Sequence, residues 1–73
     1  MKIRVNGDEL ETTEKTVSQL LADSKIIPER VAVEVNLKVI KRGDFDGYML
    51  KDGDIVEIVN FVGGGILDFK SQI

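Results

Sequence analysis

The stretch Ile55-Val56-Glu57-Ile58-Val59-Asn60-Phe61-Val62, running straight into Gly63-Gly64-Gly65, decides how this chain folds. Apart from Glu57 and Asn60 it is apolar on both parities. A strand with one wet face alternates apolar and polar residues, whereas a strand that is apolar on both parities sits inside a sheet with both faces largely covered. The reading therefore predicts an interior strand over 55–62 and leaves open which strands flank it.

The first candidate lies at the other end of the chain. Met1 to Val5 alternates apolar and basic residues, Asn6-Gly7 is the dipeptide a two-residue type I′ turn requires, and Asp8 to Thr13 runs back. With that turn, Val5 faces Asp8, Arg4 faces Glu9, Ile3 faces Leu10 and Lys2 faces Glu11. One face then carries Ile3 and Leu10, and the other carries two opposite-charge pairs, each worth a few tenths of a kcal/mol.

Thr16-Val17-Ser18-Gln19 next fits a capping box and opens a short helix from Val17 to about Ser24. Val17, Leu20 and Leu21 share one side of it, and Pro28 bars its continuation. Val31-Ala32-Val33-Glu34-Val35-Asn36 alternates as a third strand with one buried face, which Leu37 to Ile40 extends or bends. The polar, glycine-bearing stretch 41–53 reads as an ordered loop anchored by Phe45, Tyr48 and Leu50, and Lys51-Asp52-Gly53-Asp54 as a tight turn into the last strand. A sheet begun by a hairpin, crossed by one helix and finished by an interior strand places that strand parallel beside the first. The expected fold is α+β, a β-grasp or ubiquitin-like arrangement with a mixed sheet of about four strands packed on one main helix.

Composition narrows the function. Seventy-three residues make at most one domain, and folding at this size hides only about 60% of the unfolded surface. Thirteen acids against ten bases argue against nucleic acid, which demands a cationic face. With no Cys and no His, disulfides, thiolate metal sites, Cys nucleophiles and His-based acid–base catalysis all fall away, no metal site is expected, and an enzyme reading with them. The charged N-terminus is no signal peptide, and no apolar run nears the roughly 18 residues of a membrane span, so a cytoplasmic setting is expected.

The chemistry-bearing candidate is the triglycine. On local sequence alone, Gly63-Gly64-Gly65 is also explained as a slender exit from the sheet or a turn before a last element. A phosphate loop is not supported: GxxxxGK[ST] needs glycine where Phe69 stands, and no long helix follows Ser71.

Taken together, the Asn-Gly hairpin, the short capped helix, VAVEVN, Arg42, KDGD and IVEIVNFVGGG resemble the ThiS family of sulfur carriers in thiamine biosynthesis, over essentially Met1 to Gly65. The related MoaD carriers of molybdopterin synthesis share the fold and the di-glycine, and a MoaD-like carrier is the alternative within the same chemistry. The resemblance implies that no residue is catalytic and that Gly65 is the adenylation and thiocarboxylate site. Gly63, Gly64 and Gly65 would form the tail that enters partner active sites. It implies a ThiF-type adenylating enzyme, a ThiG-type thiazole synthase and a persulfide sulfur donor as partners. No cofactor would be bound, ATP and sulfur arriving through those enzymes.

Eight residues, 66–73, follow Gly65. The expected organisation is a domain over 1–65 and a flexible extension over 66–73, which a C-terminal peptidase removes to free the Gly65 carboxylate. Val59 and Phe61 share a parity beside the glycines, as the apolar centre of a partner surface or as core. Lys38, Lys41 and Arg42 form a docking patch or a solvated cluster. Asp52 and Asp54 bond local turn amides. A non-reactive β-grasp interaction module, its glycines merely releasing a tail, is the alternative from a different functional class.

Overall fold

The computed structural model describes residues 1–61. Strands β1 (Lys2–Val5), β2 (Asp8–Glu11), β3 (Val31–Val35), β4 (Lys38–Ile40) and β5 (Ile55–Asn60) form one sheet in the order β2-β1-β5-β3-β4, and helix α1 (Val17–Asp23) packs on one face. Among the described residues no helix is long and apolar enough to cross a membrane.

The N-terminal hairpin has the expected register, Lys2 opposite Glu11, Ile3 opposite Leu10, Arg4 opposite Glu9 and Val5 opposite Asp8. Asn6 and Gly7 adopt φ of 50° and 88°, the left-handed pair that a type I′ turn needs. The cross-strand charges face one another in register, although the nearest cation to Glu11 is the N-terminal ammonium, 3.9 Å away.

Helix α1 starts on the expected capping box. The Gln19 amide N–H donates to Thr16 Oγ1 at 3.2 Å, and the Thr16 amide donates to Gln19 Oε1 at 2.8 Å. It stops in a Schellman arrangement with Lys25 at φ 59° where glycine is usual. The Lys25 amide donates to Ala22 and the Ile26 amide to Leu21, and Ile26 packs against the core. Val17, Leu20 and Leu21 are fully buried against Ile3, Val31, Val33, Val35 and Val56 from the sheet, with Phe45 and Leu50 closing the core from the irregular segment.

Among the described residues the sheet has five strands, where about four are expected from the sequence. Leu37 to Ile40 neither extends nor bends β3; it turns back as β4, antiparallel to β3 with Val35 opposite Lys38. The turn is Asn36-Leu37, at φ 53° and 72°. A leucine between Asn36 and Lys38 is a poor sequence signal for a left-handed turn, which is why the reversal is invisible in the residue pattern. Leu37 is 88% exposed, so it gains little from burial while carrying the left-handed penalty of roughly 1–2 kcal/mol. Leu37→Gly is expected to stabilise the fold by about 0.5–1 kcal/mol, the strain relief outweighing the entropy glycine adds to the unfolded chain. An upward shift of the urea midpoint at constant m-value is the check.

A second correction concerns β5. It is interior, parallel to β1 and antiparallel to β3, as its position demanded. Its two faces are not both covered. Val56 is buried, yet Ile55 is 48% exposed and Glu57 is exposed, because a single helix covers one face of a two-layer fold and leaves the other open.

Candidate functional site

The site is the end of β5, where the chain leaves the sheet toward the glycines. Two asparagines, each in a left-handed turn, fix that strand from its two sides. On the β1 side the parallel ladder begins with the Arg4 amide donating to Asp54 O and the Asn6 amide to Val56 O. Where β1 then turns away, the Asn6 side chain continues the ladder: the Ile58 amide donates to its Oδ1 at 2.7 Å and its Nδ2 donates to Ile58 O at 3.3 Å. On the β3 side the Asn36 amide donates to Ile55 O, while Asn36 Oδ1 accepts from the Ile55 amide at 2.9 Å.

Asn36 is held in turn by Asp54, whose Oδ1 accepts from Asn36 Nδ2 at 2.9 Å and whose Oδ2 accepts from the Lys51 amide at 2.8 Å. Asp54 thus bonds the local turn amide, as expected, and also reaches across the sheet. Asp52 does not bond its own turn: its Oδ1 accepts from the Lys2 amide 2.7 Å away, which, with the Gly53 amide donating to Lys2 O, seats the turn on the start of β1. Gly53, at φ 89°, supplies the left-handed position that contact requires.

Past Ile58 the strand keeps β3 as its neighbour. Val59 lies opposite Ala32, Asn60 opposite Val31, and the Phe61 amide donates to Arg30 O at 2.7 Å. The exit is therefore carried in register one residue beyond the strand. Val59 has the parity of Ile55 and Glu57, on the face the helix leaves open, and both Val59 and Phe61 are half-buried. Neither belongs to the helix-side core or packs against it.

Gly63, Gly64, Gly65 and the extension over 66–73 lie outside the described residues, and with them the boundary expected at 65/66. Lys38, Lys41 and Arg42 are all exposed, at the β4 edge rather than at the exit. Among the described residues no three acidic side chains converge to hold a metal ion. Shallow grooves mark the surface of the described residues, and one of about 430 Å³ flanks β4. The asparagine fixation of β5 is not evident from the sequence, where Asn6 and Asn36 read as turn and strand-end residues. The signal was their identical placement, each directly after a Val-ended strand.

The model of the ThiS family matches residues 3–65, ending on Gly65 itself. The chain is 34% identical over 65 residues to the sulfur carrier protein ThiS of Bacillus subtilis, covering 86% of this chain and 98% of that one. It is 39% identical over 66 residues to the thiazole synthase of Magnetococcus marinus, covering 89% of this chain but spanning only 20% of that protein's length. Among solved structures it resembles the crystal structure of the thiamine biosynthesis protein ThiS from Geobacter metallireducens, with a TM-score of 0.78, 39% identity, and coverage of 89% of this chain and 100% of that chain. Five strands in the order found here, one capped helix, and a family match from β1 to the second glycine of the pair make one conclusion: the chain belongs to the ThiS family.

Proposed function

We propose that the chain is a sulfur carrier for thiazole formation in thiamine biosynthesis and that its reacting group is the carboxyl of Gly65, once Gly65 has become the last residue. The observation that carries this reading is the end of the family match on Gly65, four residues after Phe61, whose amide makes the last backbone bond to the sheet among the described residues. The domain acts as a handle, and the chemistry is done by partners.

The steps follow from carboxylate chemistry. A ThiF-type enzyme brings ATP; a Gly65 carboxylate oxygen attacks the α-phosphorus, pyrophosphate leaves, and an acyl-adenylate forms. The terminal sulfur of a persulfide attacks the carbonyl carbon and expels AMP, giving an acyl disulfide. A thiol reductant cleaves its S–S bond and leaves a thiocarboxylate on Gly65. A thiazole synthase of the ThiG type then takes the sulfur. The carrier needs no cysteine, since its own C-terminus holds the sulfur, and the glycines let that terminus reach to roughly 3–3.5 Å from the reacting atom inside a narrow channel. Support for the synthase as a partner comes from the thiazole synthases that contain a segment like this chain. Val59 and Phe61, half-buried outside the core and next to the exit, form the apolar centre of the surface those enzymes grip. Residues 66–73 mask Gly65, and a peptidase must remove them.

Intact-mass measurement tests this. A chain ending at Gly65, given ThiF-type enzyme, ATP, a persulfide donor and a thiol reductant, is expected to gain the mass of one oxygen-for-sulfur exchange, and the 73-residue chain is expected to gain none. No gain on the shortened chain, with an enzyme that loads its own carrier, refutes the sulfur-carrier reading in favour of an inert module. An equal gain on the uncut chain refutes the need for trimming.

A further inference from the structure

The two edges of the sheet differ in charge. β2 carries Asp8, Glu9 and Glu11 and no base, whereas β4 and the residues just after it carry Lys38, Lys41 and Arg42, all exposed. Acids along an open edge discourage strand addition, particularly by another acidic segment. The β4 edge is guarded by cations instead, which repel a basic segment and leave the edge open to an acidic one.

Its backbone is also presented for pairing. In a two-residue hairpin the residues flanking the turn form a hydrogen-bonded pair and the next pair does not. Val35 and Lys38 flank the turn, so Val39, opposite Glu34, directs its N–H and C=O outward from the sheet. Lys41 prolongs the extended backbone, at φ −68° and ψ 146°. The side chains offered there are apolar: Val39 is 68% exposed and Leu37, held in a left-handed conformation, 88%. Leu37, strained and exposed at the hairpin tip, makes no contribution to the core that would explain it. Beside the edge runs the groove of about 430 Å³, lined by Val39, Lys41, Gly43, Gly47 and Tyr48, with Asp44 the acid in its wall.

We propose that the β4 edge is a docking site for an extended segment of a partner protein in which acidic and apolar residues alternate, added to the sheet as a new outer strand. Main-chain bonds to Val39 give the register, the groove takes an apolar side chain, and Lys38, Lys41 and Arg42 select the acids. The site is distinct from the exit of β5, with β3 lying between them, and its test involves no sulfur chemistry, so it stands or falls apart from the role of Gly65.

The test uses the isotope-labelled 73-residue chain and an eight-residue peptide alternating Glu and Val, with a Lys/Val peptide as control. The Glu peptide is expected to shift the amide resonances of residues 37–43. Binding is expected to weaken at least about tenfold in K38E/K41E and, because a main-chain donor is lost, in Val39→Pro. Should Val39→Pro disturb the fold, N-methylating alternate peptide residues removes the same bonds and leaves the protein intact. Shifts centred on β2 or α1, equal binding of the Lys peptide, or no shift at millimolar peptide overturns the proposal. So does self-association of the free chain through the same edge, which assigns the edge to a second copy.

Discussion

In a chain ending at Gly65, Gly64→Val is expected to slow sulfur loading by about 10²-fold or more while leaving thermal unfolding unchanged. The stability half of this expectation follows from position: β5 ends at Asn60, and among the described residues the last amide tied to the sheet is that of Phe61, three residues before Gly64. The kinetic half follows from the side chain. Valine removes the left-handed half of the backbone map and fixes χ1, and it puts a branched Cβ one residue from the carbonyl that must meet ATP. A misplacement of about 1 Å at a reacting atom is enough for a loss of that order. The rate of the oxygen-for-sulfur mass gain at saturating enzyme is the measurement. Loading at the parent rate means that the glycines release the tail without serving its passage, and the proposed role of Gly64 fails.

Much of the fold was legible because several local signals are stereochemically strict. Asn6-Gly7 fits a type I′ turn and little else, and with the turn fixed the pairing of Ile3 with Leu10 had no freedom left. The Thr16/Gln19 box set the start of the helix in the same way. The β4 reversal was not legible, because Asn36-Leu37 lacks the glycine that advertises two left-handed residues, and the turn is held by Asn36 bonds to Ile55 and Asp54 that are distant in sequence. The site divides likewise. The role of Gly65 is implied by the resemblance that the order of elements leading to it carries, and residue 65 lies outside the described residues. The face of Val59 was not legible, since a strand apolar on both parities carries no mark of which side the helix covers; only the pairing of Val59 with Ala32 and the burial of Val56 settle it.

The complementary expectation concerns Asp54→Ala, which should lower stability by about 3 kcal/mol without touching the reaction at Gly65. Asp54 is 4% exposed, and its carboxylate takes two donors, the Asn36 side-chain amide and the Lys51 backbone amide. Alanine removes the acceptor from both of these part-buried bonds, and each donor left unsatisfied costs about 1–3 kcal/mol, the more so the less water reaches it. It also frees Asn36, whose Oδ1 caps the first amide of β5, so the loss spreads from the turn to the strand that carries the exit. Against the roughly 4–11 kcal/mol expected for a chain of this length, such a loss is a large fraction of the whole. Asp54→Asn keeps one acceptor oxygen and is expected to fall between the parent and Asp54→Ala. Urea titration at constant m-value gives the order, and an Asp54→Ala midpoint equivalent to less than about 0.5 kcal/mol of change refutes the role assigned to this carboxylate. The pairing of the two variants is what separates handle from reacting end. At a temperature where the Asp54→Ala chain ending at Gly65 is still folded, it should load sulfur at the parent rate per folded molecule, whereas Gly64→Val should fold like the parent and fail to load.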